Sequence, residues 1–526
     1  MLPRDSVVFP TKQPTPTLAR GSSCHRERRV VCAAFCGIGS LIGTVFALST
    51  FTWMRVLALG ILAFLTGCTS PVATQNPGLD IASSWNELMT TTKPDNLQAP
   101  LTQSSEASVD QRWWGHFADP LLDALIAEAM TGNKTLQIAK ARVEEARAGR
   151  VAVRSSLFPQ LNGAAGVQRA NLGFFSSDQT INFSEAEVTV SWEMDLFGRN
   201  QARVAEASAL VESATAAQQA VRVGLLAEVA RTYFEMRNYQ RQTDLAERNL
   251  AIQQRTLAIV QQKKAENKAS DLDVERAAYQ VSATGALLPA LRTAVNASKN
   301  RLAVLLGNPP GSKDAVLVAK QELPPLDPHV LIAAPAEVLA GRPDIRAAER
   351  RFAASISAKS VAEKAWLPDI SLMGFFGRQS TTPLNSTAWG MGTNLVQPIL
   401  NFGAIQGQID AADARQKQAF LDYQQTVLAA VENMENALSA YLSETTRNAR
   451  LMAAAGQSRK AATLVHQQYD SGYASFLDVL DAERTQLVAE SALSASDFAL
   501  RENLVNIYAA AGGGWRDDAR SEGDVK

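Results

Sequence analysis

From Glu187 to Met194 polar and apolar side chains alternate without a break, Val188, Val190, Trp192 and Met194 against Glu187, Thr189, Ser191 and Glu193. A period of two puts one face of a strand in an apolar medium and the other in water. This window, Glu185–Asp195, pairs with Pro159–Arg169 across the polar loop Asn171–Asn182. A second pair, Pro368–Gln379 and Thr387–Leu400, flanks Ser380–Ser386. Phe174, Phe175, Phe375, Phe376 and Trp389 are expected near the loop ends, where a membrane-interface girdle would want aromatic rings. A soluble edge hairpin also alternates, so the strand count matters more. Four strands cannot close a barrel, and lipid does not tolerate an open edge. The chain must pool strands with other copies: two copies give eight strands and a filled barrel, three give twelve and a lumen.

The remaining pattern is helical. No proline falls between Pro159 and Pro289, and none after Pro398. A proline inside a helix costs about 3 kcal/mol, so its absence permits very long helices. Both stretches are rich in Ala, Gln, Glu, Arg and Leu. Asn200 to Asn267 holds a single glycine, Gly224, and Gly403 to Gln467 chiefly Gly407 and Gly456. Roughly 65 residues at about 1.5 Å each make a rod of about 100 Å, which no compact domain needs. A lumen continued by such rods is a duct.

The two stretches are copies. Phe197-Gly198 matches Phe402-Gly403 at an offset of 205, as Leu272-Asp273-Val274 matches Leu477-Asp478-Val479 and Gly307 matches Gly512. Upstream the offset is 209, with Leu157-Phe158-Pro159 facing Trp366-Leu367-Pro368. Such ordered self-similarity predicts a duplication. The first repeat spans 120–308, with a strand hairpin at 159–195 and a helical hairpin at 198–306. The second spans 336–514, with hairpins at 368–400 and 403–511. Residues 309–335, rich in proline, read as an extended crossing linker, and 515–526 as a tail. Pro289 has no counterpart in the second repeat and predicts a kink.

At the N-terminus, Met54-Arg55, the uncharged run Val56–Leu65 and Leu65-Thr66-Gly67-Cys68 form a short positive region, an apolar core too short to span a bilayer, and a cleavage site. Residues 54–67 resemble a bacterial lipoprotein signal, implying lipid on Cys68, the first residue of a lipidated segment 68–119. Thr69, not Asp, follows the cysteine and points to the outer membrane. Three acyl chains at about 0.8 kcal/mol per buried methylene would anchor firmly. Residues 1–53 contain a second uncharged stretch, Val30–Trp53, read either as a transmembrane anchor or, with translation starting at Met54, as a mis-called extension.

Composition narrows the chemistry. The 51 basic and 52 acidic residues balance to −1, giving no support for nucleic-acid binding. Cys24, Cys32, Cys36 and Cys68 are the four cysteines, so the chain beyond has neither disulfide framework nor thiolate metal site. His116, His329 and His466 lack ligand spacing and read as surface or packing residues. Gly512-Gly513-Gly514 lacks the Lys-Ser/Thr of a phosphate loop and reads as the stop of the last helix. No enzyme and no cofactor beyond the Cys68 lipid is expected.

The turns between paired long helices hold Ser270 with Asp273, and Ser475 with Asp478, each the spacing of a capping box. The plain reading is that these acids start the return helices and nothing more. Asp481 escapes it, lying three residues past Asp478 on nearly the same face. In a trimer the two would stack as carboxylate rings, which constrict a pore and favour cations.

Several motifs resemble one family. Trp113-Trp114-Gly115-His116-Phe117-Ala118-Asp119-Pro120, Gly341-Arg342-Pro343-Asp344-Ile345-Arg346, Phe476 to Arg484 and the closing Gly512-Gly513-Gly514-Trp515 are similar to the TolC-like outer-membrane factors, in particular the NodT-type efflux lipoproteins. The resemblance covers about Cys68 to Trp515. It implies a mainly α, internally duplicated protomer giving four strands to a trimeric twelve-stranded barrel, continued by a periplasmic α-helical barrel. It implies a homotrimer anchored in outer-membrane lipid and docked to a periplasmic adaptor and an inner-membrane pump of the resistance-nodulation-division type. It also implies an inner mouth narrowed by Asp478 and Asp481 and held shut with help from Tyr469 and Asp273. Where some relatives carry an arginine partner this chain has Ala474, so closed-state pairing is expected to differ. The leading expectation is a passive gated duct exporting drugs or other small molecules. The alternatives are a type I protein-secretion or metal-export channel and, in a different class, a structural lipoprotein tethering envelope layers. The last predicts sustained heptads without strand pairs.

Overall fold

Long runs of good helix formers without proline yield continuous helices where apolar stripes from neighbours can cover them. The structure is a computed structural model that describes residues 78–90, 101–103, 109–171, 180–318, 323–326, 330–381 and 384–516. All belong to the unit Thr74–Lys526, and a further unit, Met1–Ala73, lies outside the described residues. The expectations for the signal, Cys68, Val30–Trp53, Phe174, Phe175, His329 and the tail beyond residue 516 likewise fall outside them.

In chain order the elements are α1 (Asn86–Thr90), β1 (Leu101–Gln103), α2 (Pro120–Gly132), α3 (Lys134–Arg154), β2 (Gln160–Asn171), β3 (Thr180–Met194), α4 (Arg199–Ala265), α5 (Asp271–Leu305), α6 (Asp314–Leu317), β4 (Val330–Ile332), α7 (Pro335–Gly341), α8 (Pro343–Glu363), β5 (Asp369–Thr381), β6 (Leu384–Val396), α9 (Ala404–Asp470) and α10 (Phe476–Ala510). The duplication is exact in length: α4 and α9 each have 67 residues, α5 and α10 each 35. Gly198 and Gly403 open the two long helices in the left-handed region (φ 72° and 89°), where a glycine costs nothing. α5 runs through Pro289 for sixteen more residues.

Strand order in the four-stranded antiparallel sheet is β2-β3-β5-β6, so the two repeats join at β3–β5 and both outer strands have an edge unpaired among the described residues. Three details differ from the pattern-based expectation. β3 begins at Thr180, inside the expected loop, and β5 and β6 continue to Thr381 and from Leu384. Strand pairing is a matter of backbone hydrogen bonds, so it outlasts the apolar alternation. Phe375, Phe376 and Trp389 pair in mid-strand, Phe375 opposite Gly390 and Phe376 opposite Trp389, not at the loop ends. The linker is not extended throughout: it contains α6 and β4, and β4 pairs in parallel with β1.

The main core lies midway along the long helices. Tyr233, Phe234 and Met236 of α4, Met434, Leu438 and Tyr441 of α9, and Leu504 and Val505 of α10 close around Trp85, Trp113 and Phe117. The motifs are its fasteners. Asp119 is 1% exposed; it caps α2 through the Leu121 and Leu122 N–H groups and accepts the Tyr233 hydroxyl at 2.5 Å. Arg342 grips Asp344 through two nitrogens (3.1 and 2.7 Å) and donates to the Ala510 carbonyl at the end of α10, a cation placed where the helix dipole is negative. Gly513 passes where a Cβ would stand 2.6 Å from the Asp110 carbonyl oxygen.

Candidate functional site

The return helices α5 and α10 start at true capping boxes. The Ser475 N–H and hydroxyl donate to Asp478 Oδ2 at 2.8 and 2.6 Å, and the Asp478 N–H returns to Ser475 Oγ at 3.3 Å. Ser270 and Asp273 repeat this at 3.1, 2.7 and 3.2 Å. The Ser475 side-chain hydrogen bond, then its backbone one, holds the Asp478 carboxyl below the ordinary carboxylate range. Asp478 thus stays ionised while it caps. Asp481, one turn on, is exposed and has no hydrogen-bond or ion-pair partner among the described residues. It has no capping duty.

The two helical tips pack on each other through Val260 of α4, Ala277 of α5 and Phe476 and Val479 of α10, with Tyr469 of α9 at the edge. Tyr469 tilts against Phe476 (5.8 Å between ring centres), and the Lys263 ammonium of α4 stands 3.7 Å above the Tyr469 ring. Burial, then the Asp273 and Asp470 carboxylates, raises the Tyr469 hydroxyl pKa. The structure therefore brings Tyr469 and Asp273 into one electrostatic neighbourhood. The cation there comes from Lys263 in the first hairpin, not from position 474.

Sequence reasoning missed the layer above. Glu483 is 3% exposed between α9, α10 and α4. Its Oε1 accepts the Thr256 hydroxyl at 3.0 Å and faces His466 Nε2 at 3.1 Å, while Oε2 has no partner among the described residues. Burial raises the Glu483 carboxyl; Thr256 and His466 oppose it. No residue spacing distinguishes such an acid from a solvated one.

At the other end, the sheet has one apolar and one polar face. Val188, Val190, Trp192 and Met194 lie beside Phe376, Gly374, Leu372 and Ile370, with Leu161, Trp389 and Met391 on the same face. Leu161, Trp389 and Met391 are 72%, 70% and 86% exposed. So large an apolar face left bare in one chain marks a lipid or partner surface. The opposite face is mostly polar, with Glu185, Glu187, Glu193, Thr189 and Ser191, and carries Phe375 beside Thr189 and Met373 beside Ser191. No described helix is long and apolar enough to cross a membrane.

A family model for outer membrane efflux proteins matches residues 125–308 and 334–513, one segment per repeat. The pyoverdine export outer membrane protein OpmQ of Pseudomonas putida is 29% identical over 438 residues, covering 81% of this chain and 93% of that protein. Nodulation protein T of Rhizobium leguminosarum bv. trifolii is 29% identical over 418 residues, covering 78% and 89%. Among solved structures, the outer-membrane channel OprN superposes with a TM-score of 0.75 at 31% identity, covering 84% of this chain and 99% of that one. The open-state MtrE channel of Neisseria gonorrhoeae gives 0.72 at 26%, covering 85% and 99%.

Proposed function

Because the chain belongs to the outer membrane efflux protein family, and so is an outer-membrane efflux channel with the TolC-like fold, we propose that three copies pool their sheets into a twelve-stranded barrel whose periplasmic mouth is gated at Asp478 and Asp481. One observation carries this reading: a four-stranded sheet with two edges unpaired among the described residues and a bare apolar face. Backbone groups on those edges need partners in lipid, and identical neighbours supply them. Twelve strands leave a lumen that the polar face lines. The sheet also counts against a purely tethering lipoprotein, which has no use for it.

The 67-residue helices continue the lumen through the periplasm for about 100 Å. Three copies of Asp481 and of Asp478 ring the mouth and favour cations there. Lys263 over Tyr469 clasps the two tips of one chain and takes the place of the arginine that Ala474 lacks. The family is one of channels rather than enzymes, and transport through them is driven by an adaptor and inner-membrane pump. For this chain we propose a resistance-nodulation-division pump and lipid on Cys68. Relatives are named for pyoverdine, cation and toluene export, so membership leaves the cargo open.

Bilayer conductance of the purified protein beside Asp478→Ala/Asp481→Ala tests the gate. Small cation-favouring currents that grow in the double variant are expected. Equal currents would reduce both acids to ordinary helix residues, and silence of assembled protein in both would remove the channel.

A further inference from the structure

Between α4, α8 and α9, directly below the sheet, lies a cleft of about 610 Å³ lined by four arginines (Arg199, Arg203, Arg351 and Arg415) and one acid, Glu206. Arg199 is occupied: it bridges Glu193 at 3.0 Å and Asp369 at 2.8 Å. Those two carboxylates stand on the polar face of the sheet, in register with Ser371 and Val396 and opposite in sense to Trp192 and Leu372. The bridge ties one wall of the cleft to the polar face of the sheet. That is the face that the proposed barrel turns inward.

The other three guanidinium groups are underused. Arg203 donates to the neutral Asn200 Oδ1 at 2.7 Å, and Arg351 and Arg415 are exposed with no carboxylate partner among the described residues. The nearby acid Asp413 is taken by Lys359. Burial raises the Glu206 carboxyl, with Arg203 opposing, so this acid is a weak counter-charge. The floor is apolar, made of Ala354, Ala358, Ala362, Ala412, Val361 and Leu210. Arginine is suited to bidentate capture of carboxylate, sulfonate or phosphate oxygens. A cationic rim on an apolar floor suits a molecule with an anionic head and an apolar body.

We propose that this cleft is a lumen-side binding site for organic anions in transit, with Arg203, Arg351 and Arg415 holding the anionic group and the alanine floor of α8 its apolar body. The proposal rests on the channel reading, since the open side is the lumen only if the polar sheet face is. It also gives the duct two zones of opposite sign: carboxylates at the mouth and guanidiniums below the barrel.

The test is equilibrium dialysis of the purified full-length assembly with 1-naphthalenesulfonate and, separately, with 1-naphthylmethylammonium. The sulfonate is expected to bind at least about tenfold more tightly. Arg203→Gln/Arg351→Gln/Arg415→Gln should erase that preference. Arg351→Gln alone, at an exposed position that threatens no fold, should weaken sulfonate binding about threefold, and Arg351→Lys should restore most of it. Equal binding of the two probes, or equal sulfonate binding by wild type and both glutamine variants, overturns the site. Phosphatidylglycerol vesicles that compete with the sulfonate where phosphatidylcholine vesicles do not would assign the arginines to a lipid headgroup and overturn the transit reading. Conductance of the same preparation is scored independently, so loss of the channel and loss of the site are told apart.

Discussion

The two helical hairpins are equal in length to the residue yet unlike in chemistry. At the 205-residue offset, Asp478 falls on Asp273, so both tips keep the cap that starts a return helix. Asp481, however, falls on Arg276, Tyr469 on Lys264, Glu483 on Ala278 and Ser494 on Pro289. What the fold needs, caps and helix length, was kept in both copies. What the tips expose has diverged: the second shows paired carboxylates and the first an acid beside a base. A duplicated scaffold can thus change the chemistry of one tip without altering the helix geometry of the other.

Six substitutions probe that contrast, the largest effect first. Ser494 is 2% exposed and donates to Asn238 across to α4. Ser494→Pro would give the second hairpin the proline that the exposed Pro289 gives the first, at a cost of about 3 kcal/mol or more. Thermal melting should fall by several degrees, whereas Pro289→Ser should raise it; equal tolerance at both sites would mean that the helices are not held as described. Next, Asp481→Arg copies the first tip onto the second and Arg276→Asp does the reverse. Reversal potentials in a salt gradient should show cation preference falling in the former and rising in the latter, and a shared shift in one direction would contradict gating by the second tip.

Glu483→Gln addresses the buried acid. A carboxyl whose folded pKa is raised contributes its stability below the unfolded value, and that contribution is lost as pH rises through the folded value. The wild type should therefore melt lower as pH climbs from about 4.5 toward neutrality, and the glutamine variant should show a flatter profile. Parallel profiles would show that Glu483 pays no burial penalty. Smallest is Lys263→Ala, which removes a cation–π contact of about 1 kcal/mol between two half-buried side chains. It should raise open-channel frequency slightly at unchanged cation preference; a changed preference would place Lys263 in the pore lining.

The duplication and the helix lengths were legible because prolines and matched segments punctuate the chain, and the sheet because lipid enforces a period of two. Strand ends were less so. In Thr180 to Ser184 the apolar residues, Ile181 and Phe183, fall on the opposite face from Val188 and Val190, so the alternation changes phase while the pairing with β2 continues. The three-residue pairing of Leu101–Gln103 with Val330–Ile332 is too short to have a period at all. The arginine cleft draws on positions 199, 203, 351 and 415, which no local motif unites. The capping reading of Asp273 and Asp478 was fully visible, because a cap is a local event.

The fastening of Arg342 to Ala510, together with Gly513 beneath the Asp110 carbonyl, has a consequence for the order of folding. The start of the second repeat and the N-terminal segment are both joined to residues 510–514, far along the chain from either. A chain cut just short of them holds every long helix and every strand but lacks the buckle. Contacts so distant in sequence form late and slowly. Loss of residues 510–514 should therefore unfasten both joints at once while sparing the helices and strands themselves.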